Sequence, residues 1–162
     1  MKRSLVSVAA VSVLCLITGG NAELSAQNNS PGHQNADNIV ADVFANYFVI
    51  QKSLAEDSLA NVSSAGQAIA RRVSQDSNGD FRPGLIGQAE ALAAAPDLVS
   101  ARQIFKAVSG YLIQARRAGH GPGGVVHEMH STADNVNWLQ QGEVIQNPYQ
   151  GKACQHCGTF VN

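Results

Sequence analysis

Two short stretches near the C-terminus hold most of this chain's capacity for chemistry. Residues 127–130 read His-Glu-Met-His and residues 154–157 read Cys-Gln-His-Cys. The first looks like a zinc-protease helix that is one residue too short. Such a helix needs two histidines at i and i+4, so that both imidazoles face one ion with the glutamate beside the bound water. Here His127 and His130 stand at i and i+3, and the β-branched pair Val125-Val126 just upstream disfavours a long helix. The second stretch is not a haem-attachment motif, because Gly158 stands where a His is required. A thioredoxin-type oxidoreductase would need a low-pKa thiolate at Cys154, but no strand pattern precedes the pair and no helix pattern follows it. Two readings remain: a structural disulfide, natural in an oxidising compartment, or two thiolates chelating one ion across a tight turn that Gly158 eases.

Together the stretches offer up to five soft or borderline donors. Sulfur favours Cu(I) or silver, while two His with two Cys is an ordinary zinc set. The distribution of rare side chains points the same way. Four of the five histidines, His120, His127, His130 and His156, lie at or after residue 120. Once the first 22 residues are set aside, Met129 is the sole methionine, and Cys154 and Cys157 are the sole cysteines. A third motif, Asp-Ser-Asn-Gly-Asp at 76–80, has the alternating oxygens of a calcium loop. Phe81 stands where that loop needs Gly and Gly87 where it needs Glu, so the stretch reads as a turn rich in Asx residues.

The elements that must carry these residues follow from the 162-residue chain. Lys2 and Arg3 precede a mostly apolar run over 4–18 and then small residues, the pattern of a secretory signal. Cleavage is expected after Ala22, or as late as Ala26, which removes Cys15. The exported chain keeps nine basic and twelve acidic side chains, net −3. It has no basic patch to suit nucleic acid and no further run able to span a bilayer. Residues 23–36, with His33, read as a flexible polar leader. From Asp37 apolar spacing of three and four predicts a helix through Val40, Val43, Phe44, Tyr47, Phe48 and Leu54. A second helix, capped by Asp57 and Ser58, carries Leu59, Val62, Ala65, Ile69 and Val73. A third carries Leu85, Ile86, Ala89, Leu92 and Ala93 and stops before Pro96. A fourth runs from about Asp97 to Ala118 along Leu98, Ala101, Ile104, Phe105, Val108, Tyr111, Leu112 and Ala115, with Arg116 and Arg117 at its C-terminal dipole end. Residues 37–162 are thus expected to form a single domain. It is mainly α, an up-down four-helix bundle, with a small irregular or β cap over about 120–162 holding two short strands and the metal site.

The tail also resembles a small bacterial family, a domain of unknown function. It is found alone behind a signal peptide or at the end of periplasmic adaptors of copper/silver efflux pumps. Trp138-Leu139, Ile145, Asn147-Pro148-Tyr149, Gly151 and Cys157-Gly158 match its tail pattern, and YFVIQKSLAEDSL is similar to its first helix and the turn after it. The resemblance covers about residues 37–160 and is specific only in the tail. It implies a periplasmic heavy-metal site with no established enzymatic activity. It puts His127 at the family's first Cys, Met129 and Cys154 at its two Met positions, and Cys157 at its last Cys. Each swap keeps a donor, yet moves the site from purely soft chemistry toward zinc or Cu(II). His130 and His156 have no family counterpart and are weaker candidates. Trp138, Asn147, Pro148, Tyr149, Gly151 and Gly158 are the expected scaffold, with Trp138 closing the cap over the bundle.

The sequence therefore predicts an exported, periplasmic or secreted, non-enzymatic heavy-metal-binding protein. Copper comes first and zinc second, held by His127, Met129, Cys154 and Cys157, for sequestration, delivery or sensing beside an efflux or envelope protein. The alternative is an envelope interaction module whose cap is stapled by a Cys154–Cys157 disulfide.

Overall fold

The computed structural model describes residues 31–161, with side chains from Ile39 onward; the expected signal and residues 23–30 of the leader lie outside the described residues. Four α-helices, α1 (Pro31–Ala55), α2 (Val62–Val73), α3 (Gly84–Ala93) and α4 (Leu98–Arg117), precede three strands, β1 (Val126–Ser131), β2 (Val136–Gln141) and β3 (Thr159–Phe160). A 3-10 turn over Gly151–Ala153 lies between β2 and β3. The protein is mainly α with a small antiparallel sheet in the order β2-β1-β3. Among the described residues no helix is long and apolar enough to cross a membrane.

Helix α1 starts earlier than its apolar stripe. It begins at Pro31, so residues 31–36 are helical where a flexible leader was expected. Proline suits a first helical turn, because its φ is already set and its missing N–H would have had no partner. Of the expected stripe, Val43, Phe44, Tyr47 and Leu54 are fully buried, Val40 is buried and Phe48 is half-buried, while Ile50, outside that stripe, is fully buried as well. The entry to α2 differs from the sequence reading. Asp57 and Ser58 do not cap it; α2 begins at Val62 behind Asn61, whose φ is +66° and whose side chain makes no cap bond. Asp57 also has positive φ, at +55°, and serves another purpose. In α4, by contrast, Asp97 caps conventionally, its side chain accepting from Ser100 N at 2.8 Å.

Consecutive helices pack on one another, α4 carries β2, and α1 touches both β2 and the 3-10 turn. The shared core runs from Phe44 and Tyr47 through Phe105 and Leu112 to Met129, Trp138 and Leu139, so helices and sheet are continuous inside. Asp76 organises the α2–α3 turn. Its carboxylate accepts from the backbone N–H of Asn78, Gly79 and Phe81, an Asx-type turn.

Candidate functional site

The HEMH stretch is a β-strand. Val126 to Ser131 pair with Gln141 to Val136, and Met129 and His130 also pair with Phe160 and Thr159. The sequence reading expected an irregular or β cap with two short strands here, without assigning these donors to one. β-Branched Val125 and Val126 favour extended backbone, and Val126 to Ser131 pair with β2 along their whole length. Strand periodicity then separates the donors: His127, Met129 and Ser131 share one face, while Glu128 and His130 share the other. His130 therefore does not face Met129 or His127. Its Nδ1–H donates to Asn137 Oδ1 at 2.7 Å, Asn137 Nδ2 donates to Glu128 Oε1 at 2.7 Å, and Arg117 donates to both Glu128 oxygens. This chain of bonds ties α4 to the sheet.

Met129 is fully buried and, by register, lies between Trp138 and Phe160. His127 packs edge-on against Phe160, with ring centres 5.1 Å apart. It lines an open depression of about 390 Å³ with Arg116, Arg117, Val126, Glu128, Phe160 and Val161. Two guanidinium groups beside an imidazole repel a metal cation, and the nearby Glu128 is already paired.

The cysteines stand at the other end of β1. Carrying the β1–β3 register two residues back from Thr159 sets Cys157 level with Thr132, five residues from His127. At roughly 3.4 Å per residue that is about 17 Å along the strand. Consistent with this, Cys157 and His156 line a different depression, of about 400 Å³, with Ser131, Thr132, Ala133, Gly158 and Thr159. Cys154 and Cys157 are joined by a disulfide, with Cα atoms 5.3 Å apart. Between them His156 is exposed, and its Nδ1–H donates to the Ile145 carbonyl at 2.7 Å. The expected set His127, Met129, Cys154 and Cys157 is therefore not gathered around one point in this arrangement. Among the described residues no group of three or more His, Cys, Asp or Glu side chains is arranged to hold a metal.

Asn147 is fully buried and organises the tail. Its N–H donates to Gln155 O at 2.7 Å, its Nδ2 donates to Cys157 O at 2.8 Å and to Ser131 Oγ at 3.2 Å, and its Oδ1 accepts from Tyr149 N and Gln150 N. Pro148 supplies a carbonyl to Arg102 Nε at 2.8 Å. Trp138 is buried, with Tyr149 edge-on at 6.1 Å. Gly158 lies so close that a Cβ there would stand 2.7 Å from the indole, at a φ of +149° that favours glycine.

Two features escaped the sequence reading. Arg102 donates to Leu54 O, to Pro148 O and to the Asp57 carboxylate, whose other oxygen accepts from Lys152 N. That hydrogen bond from Arg102, with the one from Lys152 N, holds the Asp57 carboxyl below its ordinary value. Gly151, at φ +54°, lies directly against both side chains. The second is a buried hydroxyl cluster. Tyr47 Oη and Ser109 Oγ are 2.9 Å apart, Tyr149 Oη donates toward Ser109 and Asn137 O at 3.2 Å, and Leu139 N donates to Tyr47 Oη at 3.0 Å. Burial raises both tyrosines well above the usual phenol range. Ser109 within an apolar helical stripe was the one available signal for it.

Compared with known family models, curated proteins and solved structures, the chain finds no match. The tail's resemblance rests on the residues quoted for it.

Proposed function

We propose that this chain is an exported, non-enzymatic module of the cell envelope, a four-helix body read as an up-down bundle bearing a stapled recognition cap. The observation that carries the reading is the Cys154–Cys157 disulfide, closing a turn whose carbonyls at Gln155 and Cys157 are both taken up by Asn147. A cap whose buried polar groups are satisfied by the protein itself needs no ion to fold. Its partner would be an efflux or other envelope protein. Thermal unfolding with a strong chelator and with a reductant tests this. The transition is expected to stay put with chelator and to fall with reductant. Loss of fold on chelation alone would sink the reading.

A second reading, heavy-metal binding with copper first and zinc second, is favoured by one local observation. Cys154, His156 and Cys157 lie within four residues on a turn that leaves His156 and Cys157 exposed. Chelation there requires the cysteines to be thiolates. Anaerobic competition for Cu(I) and Zn(II), with wild type and Cys157→Ser, tests it. One equivalent lost in the variant supports it, and no binding by the reduced protein removes it.

A further inference from the structure

We propose that the Cys154–Cys157 disulfide is the closed state of a redox-gated Cu(I) site formed by Cys154, His156 and Cys157, separate from His127 and Met129. The inference rests on the metal-binding reading above and assigns that reading its residues and its control.

Three observations carry it. The first is the orientation of His156. Its Nδ1–H is committed to the Ile145 carbonyl at 2.7 Å, which fixes the neutral ring in the tautomer whose Nε2 carries the free lone pair. A backbone carbonyl holding one ring nitrogen while the other stays available is the way metal-binding imidazoles are ordinarily prepared. The second is access. Cys157 and His156 are exposed and share one open depression with the hydroxyls of Ser131, Thr132 and Thr159, room for an external thiol to reach the sulfur. The third is support. Asn147 holds Gln155 O and Cys157 O through its own N–H and Nδ2, so the turn's backbone stays anchored when the sulfur bridge opens. The remaining donors of the tail stand elsewhere: His130 lies on the other face of β1, joined through Asn137 to the Glu128–Arg117 pair, Met129 is sealed in the core, and His127 stands beside Arg116 and Arg117.

The gating step is a thiol–disulfide exchange. A thiolate of an external dithiol attacks a sulfur of the bridge and forms a mixed disulfide; its second thiol then displaces the protein sulfur. The external dithiol is oxidised by two electrons, the Cys154–Cys157 bond is reduced, and two protons end on the freed thiols. Cu(I) then displaces those protons and takes two thiolates with the imidazole Nε2, a soft set that prefers Cu(I) over harder ions. The reverse exchange, in which the external disulfide takes up the two electrons and returns to its dithiol, removes both anionic donors and releases the ion.

The full-length protein, handled anaerobically, is titrated with Cu(I) against a chromophoric chelator in its reduced and disulfide forms. His156→Ala, His127→Ala and Cys157→Ser are measured in the reduced form. One equivalent is expected in the reduced wild type and none in the disulfide form. His156→Ala is expected to weaken binding by about tenfold or more, while His127→Ala leaves it unchanged. X-ray absorption at the copper edge should report two sulfurs and one nitrogen, with the nitrogen lost in His156→Ala. Equal binding by the disulfide form, or unchanged affinity and spectrum in His156→Ala, would overturn this site. If His127→Ala abolishes binding instead, metal binding survives and the proposed residues do not. Absence of binding in every form removes both.

Discussion

Asn147 is the residue on which the tail depends most. It is fully buried and bonds six partners through four of its atoms. Asn147→Ala keeps both backbone bonds but strands the Cys157 carbonyl and the N–H groups of Tyr149 and Gln150. The expected loss is about 2–3 kcal/mol, since each buried unsatisfied group costs about 1–3 kcal/mol and the tail can relax toward water. Urea unfolding followed by circular dichroism measures it. The residue was legible in the sequence as part of Asn-Pro-Tyr, although its expected task was an extended conformation before Pro148. That its side chain gathers a loop from 131 to 157 depends on contacts no local pattern carries. The histidines teach the converse. Their crowding near the C-terminus was visible, but strand alternation sends His127 and His130 to opposite faces and leaves each with its own partner.

At the scale of elements, helix stripes were readable because burial imposes a period of 3.6 on each helix, and Val43, Phe44, Tyr47 and Leu54 keep it. Helix ends were less readable. Asp57 looks like a cap in sequence because aspartate suits that position, yet Arg102 claims it from 45 residues away. The cap was hardest, because a six-residue strand and a loop differ little in composition. Two tests address how the elements hold together. Tyr47 on α1 accepts from Leu139 N and so covers the outer edge of β2 at that point. Tyr47→Phe should cost about 1–3 kcal/mol by leaving that buried N–H unpaired, and hydrogen exchange at Leu139 should accelerate more than elsewhere in β2. Reducing the disulfide should cost about 2 kcal/mol, the chain-entropy value for so short a loop, with the change confined to the cap in a hydrogen-exchange map. A loss spread through α2 and α3 would contradict it.

For the whole molecule, pH acts through shifts of opposite sign, and Asp97 joins Asp57 on the acid side because its carboxylate accepts from Ser100 N–H. Asp57 is held below its ordinary value, so its contribution is full above about pH 4 and is lost as pH falls through the folded value. Asp57→Asn should flatten part of the acid limb of the stability curve, the Asp97 cap supplying the remainder, and leave the alkaline limb alone. Tyr47 and Tyr149 are raised, so their contribution is full below about pH 10 and is lost as pH climbs further. The two limbs therefore report different regions: the acid one the Arg102 junction of α1, α4 and tail together with the N-cap of α4, the alkaline one the hydroxyl cluster between helices and sheet. Chemical denaturation at a series of pH values separates them. A single variant that altered both limbs equally would show the regions to be coupled.

The chain's single tryptophan lies within the cap, with Gly158, the neighbour of Cys157, resting on its ring. Indole fluorescence is therefore a signal of the cap alone, while the far-ultraviolet signal belongs mostly to the helices. The molecule carries its own two-channel readout. Emission that shifts while helicity holds would mark a cap that has come loose from an intact body. Coincident curves would mark one cooperative unit.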